Sequence, residues 1–482
     1  MTAAVAVAPH PPDRATGGRT ATRRNAELAL LLMAMLLVTG FSVAAEAGVA
    51  RELSLSALIL PILITGLFLG AHVAVRVFAP YADPVILPAV AALNGISVVF
   101  IRRLDLGRIP PDDRAGAAIM DGQAFRQLIW AVVAVAGFVA LLALVRDHRI
   151  LARFGYTAGL VGIVLVMIPA VLPGRFSEIN GAKLWIIVPG LGQIQPGEFA
   201  KLALMIFFGS YLVTKRDVLS LASRRFLGLL MPRGRDLGPV VAVWVASLLV
   251  LIFEKDLGTS LMYFGIFVVM LYIATERTSW LLIGLLLFAG GAYLASLLVE
   301  RVKLRVDIWL DPFADAFGDG YQLVQSLFSL GTGGMFGTGP GAGNPTLLDV
   351  GSDYASTDFV VAALGEEIGL YGLTAMLLIY ALVASRGMRA ALDVRDSFGK
   401  LLAGGLAFSL GLQVFVIVGG VSRLIPLTGL TTPFLSYGGS SLIANWLIVG
   451  LLMRISDAGR KPAAVKMPAL QLRDAPTEVV RL

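Results

Sequence analysis

Glu198 and Lys201 stand three residues apart at the edge of an apolar stretch, which puts a carboxylate and an ammonium on one face of a helix. An ionisable group at membrane depth costs roughly 2.5–3.5 kcal/mol on insertion scales, so such a pair is a functional candidate by default. Alternatively, the two form a salt bridge that only pins a helix end, and Glu198 near an N-terminus also suits the helix dipole. Asp358 opens another apolar stretch after a long connection. Asp is a preferred N-cap and Thr357 competes for the same role, so both capping and chemistry stay open for Asp358. Glu366 and Glu367 follow about 12 Å deeper at helical rise. Glu366 lies roughly 80° around from Asp358, so the two can line one cavity, whereas Glu367 points nearly the opposite way. Three acids on one membrane helix exceed what capping needs and favour a water-accessible cavity.

The connection before Asp358 carries Arg301, Lys303 and Arg305, then Asp311, Asp315 and Asp319. Basic groups at headgroup level can hold a phosphate or pyrophosphate, or simply snorkel as helix-end anchors. The Asp series lacks the alternating acids, glycine and distal Glu of a calcium loop. The run Gly331-Thr332-Gly333-Gly334 to Gly337-Thr338-Gly339 follows no expected strand and is no dinucleotide fingerprint; it suits close backbone approach. Trp185 suits an interfacial anchor or a platform for a sugar face. His10, His72 and His148 are scattered without metal-site spacing, and the absence of cysteine excludes disulfides and thiolate chemistry.

The elements that must position these groups follow from composition. Of 482 residues, 57% are apolar and 15% charged; a soluble domain carries about a quarter charged residues. Apolar runs of about 16 to 25 residues suit a hydrocarbon core of roughly 30 Å, and lipid leaves no partner for free peptide groups, so each run is expected as a helix. We expect an all-α polytopic membrane protein with about twelve spans, at 28–46, 55–77, 83–101, 127–146, 153–173, 198–213, 236–254, 258–274, 279–299, 358–385, 402–421 and 439–454. With a cytoplasmic N-terminus, inside loops hold about 25 of the 39 Lys and Arg. They include Lys215, Arg216, Arg224, Arg225, Arg233 and Arg235. The segment 102–126, with five arginines outside, breaks the pattern. The net charge of +7 therefore reflects membrane orientation rather than nucleic-acid binding. We expect a cytoplasmic tail at 1–27, N-terminal spans and an outer loop over 28–126, a membrane core over 127–455 with a large outer loop at 300–357, and a cytoplasmic tail at 456–482.

Five stretches carry a resemblance to a known family. They are Asn180 to Trp185 with Gln195 to Lys201; Lys255-Asp256-Leu257-Gly258-Thr259; Arg305 to Pro312 with Gly320-Tyr321-Gln322; Ser356 to Phe359 with Gly365 to Gly369; and Pro426 to Gly429 with Pro433 to Ser441. The chain resembles the SEDS family (RodA, FtsW, SpoVE) and looks nearest to its actinobacterial RodA branch. Two departures are Leu184 preceded by Lys183, where the family has Arg before Trp, and Glu254-Lys255 before Asp256. The usual ten family helices leave two extra N-terminal ones.

The resemblance implies a peptidoglycan glycosyltransferase of the plasma membrane, polymerising lipid II into β-1,4 glycan during elongation with release of undecaprenyl pyrophosphate. It implies lipid II, nascent glycan, a class B penicillin-binding protein and elongation-complex proteins as partners. It places the essential acid at Asp358 and supporting cavity residues at Glu198, Lys201 and Asp256, with Trp185 and Arg305 in outer loops; Lys183 and Glu366 join them as candidates. Asp358 would accept the hydroxyl proton, and Arg305, with Lys201 or a divalent cation (Mg or Mn), would offset pyrophosphate charge. A lipid II flippase, an FtsW-type role in division, and a scaffold are the other expectations; the buried acids argue against the scaffold.

Overall fold

A computed structural model describes residues 23–51, 55–110, 113–114, 118–179, 182–188, 192–220, 224–226, 229–231, 238–254, 256–349 and 353–462. The long helices are α1 (Arg24–Ala50), α2 (Ile59–Phe78), α3 (Ile86–Gly107), α4 (Gln123–Leu144), α5 (Gly155–Val171), α6 (Pro196–Ser220) and α7 (Gly238–Glu254). They continue with α8 (Leu257–Thr275), α9 (Ser279–Leu298), α10 (Glu300–Leu310), α11 (Tyr321–Gly333), α12 (Val360–Asp393), α13 (Ser397–Val421) and α14 (Gly439–Arg460). Every expected span coincides with one of these helices. Ten of them are long and apolar enough to cross a membrane; α5 and α7 are apolar but shorter. The chain is thus a multi-pass helical membrane protein, and the count of twelve full spans is not reached by length alone.

The most enclosed spans are α3, α13 and α14. Trp446 of α14 is fully buried. It stacks on Phe68 of α2 at 5.7 Å and meets Phe138 of α4 edge-on at 5.3 Å. Aromatic contacts of this geometry add about 0.5–1.5 kcal/mol beyond their buried area, so α2 belongs to the packed bundle.

Both ends of the described chain meet on one face. Arg24 bonds Glu27 at 2.5 Å and donates to the Ala82 carbonyl, and Glu27 faces His72 Nδ1 at 2.7 Å. Arg460 reaches Asp83 at 2.5 Å, and Asp457 accepts from the Tyr81 amide at 2.8 Å. These partners extend α1 back into the expected tail at 1–27 and carry α14 beyond 455. The remainder of those tails, with Arg233, Arg235 and Lys255, lies outside the described residues.

Four arginines of the segment 102–126 are bonded to acids or carbonyls. Arg102 faces Glu46 at 3.8 Å, Arg103 pairs with Glu367, and Arg108 meets Asp349 at 2.7 Å. Arg114 donates to the Val49 carbonyl at 3.1 Å.

The expected outer loop at 300–357 is largely folded, with α10, α11 and a single turn at Pro345–Leu348. Two small hairpins precede α6: β1 (Glu178–Ile179) with β2 (Ala182–Lys183), and β3 (Ile186–Val188) with β4 (Gly192–Ile194). Helix α12 is interrupted at Gly369, whose φ of 65° suits glycine. The carbonyls freed there are taken by the Thr338 and Gly339 amides at 2.9 and 3.1 Å. The glycine-rich run therefore lets backbone thread against a broken helix.

Candidate functional site

A cavity of about 2050 Å³ lies at the opposite face from the chain ends. Its wall is built around the N-terminal ends of five helices: Arg126 and Trp130 in the first two turns of α4, Gln195 before α6, Asp256 before α8, Thr357 and Asp358 before α12, and Gly439 to Ser441 opening α14. A helix N-terminus carries about half a positive charge, so their convergence favours an anionic ligand. Arg301, Arg305, Tyr321 and Gln322 close the wall from α10 and α11, and Trp185 from the link between β2 and β3.

Asp358 is half-buried on this wall. The start of α12 carries no side-chain cap, and the Thr357 hydroxyl instead donates to the Asp353 carbonyl at 3.0 Å. Capping is therefore not what Asp358 does. Its backbone is pinned from the 426–441 segment: the Ser436 hydroxyl donates to the Thr357 carbonyl at 2.6 Å and the Tyr437 amide to the Ser356 carbonyl at 2.7 Å. Burial pushes the Asp358 carboxyl up to about 6; Arg305 opposes the rise and Asp256 adds to it.

Arg305 donates to the Thr428 carbonyl at 2.9 Å. Gly429, at φ 74°, lies beside both groups: a methyl at its Cα would stand 3.1 Å from Arg305 Nη2 and 3.8 Å from Asp358 Oδ2. Asp256 caps α8, accepting from the Gly258 amide at 2.9 Å and from the Thr259 hydroxyl. Burial raises its carboxyl above the usual range, and these hydrogen bonds and Arg305 lower it. Burial also lowers the Arg305 guanidinium from its ordinary value. The result is two carboxylates and a guanidinium, with Trp185, around one space.

Four candidates stand elsewhere. Glu198 and Lys201 are bonded at 2.9 Å but line a separate cavity of about 20 Å³ behind the wall. The sequence shows that they share a helix face but not which way α6 is rotated. Glu366 is absent from the main cavity wall and accepts from the Asn344 amide at 2.8 Å. The break at Gly369 draws the glycine-rich loop onto this acid, so here it bonds loop backbone and does not line the main cavity. Lys183 lies in β2, and it too is absent from that wall.

Sequence reasoning assigned no site role to Arg126, Trp130, Gln195, Tyr437, Ser440 and Ser441, all of which line the cavity. The Ser436–Ser441 motif and the anomalous arginines were the available signals. Among the described residues, no group of three His, Asp or Glu could hold a metal ion. A cation shared with a pyrophosphate needs only one or two protein carboxylates, and Asp256 and Asp358 are among the carboxylates on the cavity wall.

Fold and site together define a multi-pass helical membrane protein with an acid–arginine cavity ringed by helix N-termini. The chain belongs to the FtsW/RodA/SpoVE cell cycle protein family, which it matches over residues 84–461. Helices α1 and α2 precede that match. The chain is 50% identical over 441 residues to the peptidoglycan glycosyltransferase RodA of Mycobacterium tuberculosis, covering 92% of each. It is 48% identical to that of Mycobacterium leprae over the same length. Among solved structures, it resembles a chain from work titled "Structural coordination of polymerization and crosslinking by a peptidoglycan synthase complex". There the TM-score is 0.58 and the identity 26%, covering 79% of this chain and 99% of that one. RodA of Thermus thermophilus shares the fold, with a TM-score of 0.51 and 23% identity over 79% of this chain and 98% of that one.

Proposed function

We propose that the protein is a peptidoglycan glycosyltransferase that polymerises lipid II into β-1,4 glycan during cell elongation, in the manner of the mycobacterial relatives' named activity. One observation carries it: Asp358 and Arg305 both come within 4 Å of the point where a Cβ on Gly429 would stand, on the wall of a cavity large enough for sugar–pyrophosphate groups. The acceptor's 4-hydroxyl attacks the anomeric carbon of the donor from the face opposite the pyrophosphate. A C1–O4 bond forms, the C1–O bond to undecaprenyl pyrophosphate breaks, and the configuration inverts. Asp358 takes the hydroxyl proton. Arg305 and the converging helix N-termini balance the charge that grows on the departing pyrophosphate. A Mg or Mn ion held by Asp256 and Asp358 would add to that charge balance. Trp185 supplies a flat apolar surface for a sugar ring.

The orientation follows from the same chemistry. Lys215 and Arg216 follow the apolar part of α6 on the face of the chain ends, which favours a cytoplasmic location for both termini. The cavity then opens on the extracytoplasmic side, where lipid-linked sugars lie. The likeness to a complex that polymerises and crosslinks supports a transpeptidase partner of the penicillin-binding protein kind; a class B member and other elongation proteins are the partners the polymerase function itself calls for.

The test is a gel of polymer made from purified lipid II by detergent-solubilised protein, with and without a cognate transpeptidase. Wild-type protein should make polymer, and Asp358→Asn, melting at the wild-type temperature, should lose at least about 10³ in rate. Undiminished polymer from that variant removes Asp358 from the reaction. Transport without polymer formation would favour a flippase instead, since polymerisation needs no second compartment.

A further inference from the structure

Gln413 lies in α13 with 1% of its surface exposed, inside an otherwise apolar stretch of a membrane helix. A buried amide is costly unless both of its ends are bonded. Its Oε1 accepts from Lys201 Nζ at 2.8 Å, and its Nε2 donates to the Thr431 carbonyl at 2.8 Å. The neighbours dictate that orientation, since an ammonium only donates and a carbonyl only accepts. Behind Lys201 stands Glu198 at 2.9 Å. Ahead of Gln413, the Thr431 hydroxyl donates to Ser441 Oγ at 2.8 Å.

The chain of bonds crosses from one compartment of the protein to another. Glu198, Lys201 and Gln413 line the small inner cavity, whereas Thr431 and Ser441 form the wall of the large one. Elsewhere in this wall segment, the carbonyls of Pro433, Leu435 and Ser436 are held by Tyr380, Ser97 and Gln127, from α12, α3 and α4. The Thr431 carbonyl is held from α13, by Gln413.

We propose that Gln413 is a positioning residue for glycosyl transfer, setting the Thr431–Ser441 wall of the cavity by reference to the buried Glu198–Lys201 pair. This rests on the polymerase function above. The Glu198–Lys201 pair acts on the reaction through this amide, without touching the sugar lipid. Cutting the chain at Gln413 or at Lys201 therefore has the same consequence, and cutting both adds nothing.

The experiment measures kcat and KM for polymerisation of purified lipid II by wild-type, Gln413→Met, Lys201→Met and the double variant, with melting temperatures alongside. Methionine matches the volume of glutamine and bonds neither neighbour. The expected result is a kcat loss of about tenfold or more in each single variant with KM within about twofold. The double variant should be no slower than Lys201→Met. Wild-type kcat in Gln413→Met, or losses that multiply in the double variant, would overturn the proposal. If Gln413→Met does not purify folded, Gln413→Glu at about pH 8 decides by the same kcat criterion, keeping the lysine contact and removing the amide donor. Failure of both to fold makes Gln413 a folding residue only and likewise overturns it. Wild-type protein that makes no polymer would sink the polymerase function instead.

Discussion

Replacing Gly429 by alanine probes the space between the two charged groups without altering either. Gly429 has φ 74°, a left-handed conformation. An L-residue there costs about 1–2 kcal/mol of folding stability. The added methyl would also sit 3.1 Å from Arg305 Nη2 and 3.8 Å from Asp358 Oδ2. Optimal heavy-atom contact is about 3.5–4.0 Å, so the guanidinium must retreat by a few tenths of an ångström while Asp358 is undisturbed. Displacements of about 1 Å at a reaction site cost up to about 10²-fold, so kcat should fall about five- to tenfold. Polymer formation from purified lipid II, with thermal melting of the same preparation, reads both effects. Gly429→Asn separates them, because asparagine tolerates the left-handed region yet still carries a Cβ. Its melting temperature should recover toward wild type while its rate stays low. A Gly429→Ala protein that melts lower but polymerises at the wild-type rate would show that sugar transfer does not occur between Arg305 and Asp358.

Two further predictions follow from the charges. Asp358 must be ionised to accept a proton, and its carboxyl lies at about 6, so log kcat should rise with pH below about 6 and level off above it. Arg305 holds that value down, so Arg305→Gln should move the rising limb to higher pH; a pH–rate profile that stays put would deny their coupling. Arg103 and Glu367 form a buried pair at 4% and 0% side-chain exposure, far from the cavity wall. Arg103→Ala leaves the Glu367 charge buried and should cost about 3–5 kcal/mol of stability. Arg103→Met with Glu367→Gln should be milder; equal melting temperatures for the two would contradict this account.

Hydropathy is a local property, and a lipid solvent permits few alternatives to the helix. That is why every expected span coincides with a helix, although the boundaries moved wherever a distant partner took over. Arg24 and Arg460 were read as tail residues because their partners, Ala82 and Asp83, are remote in sequence. Arg102, Arg103 and Arg108 likewise have remote partners, acids from α1, α12 and the loop before α12. The prominence of Asp358, Asp256, Arg305 and Trp185 was also legible, through motifs and through the cost of charge near lipid.

Which of these groups share a space was not legible. Glu198, Lys201 and, by helical phase, Glu366 were expected to share a cavity with Asp358. The rotation of α6 turned the first two behind the wall, and the break at Gly369 gave Glu366 to a loop. Helix rotation and breaks are decided by packing against neighbours distant in sequence, so residue type and spacing named the chemical groups while tertiary contacts chose which of them meet.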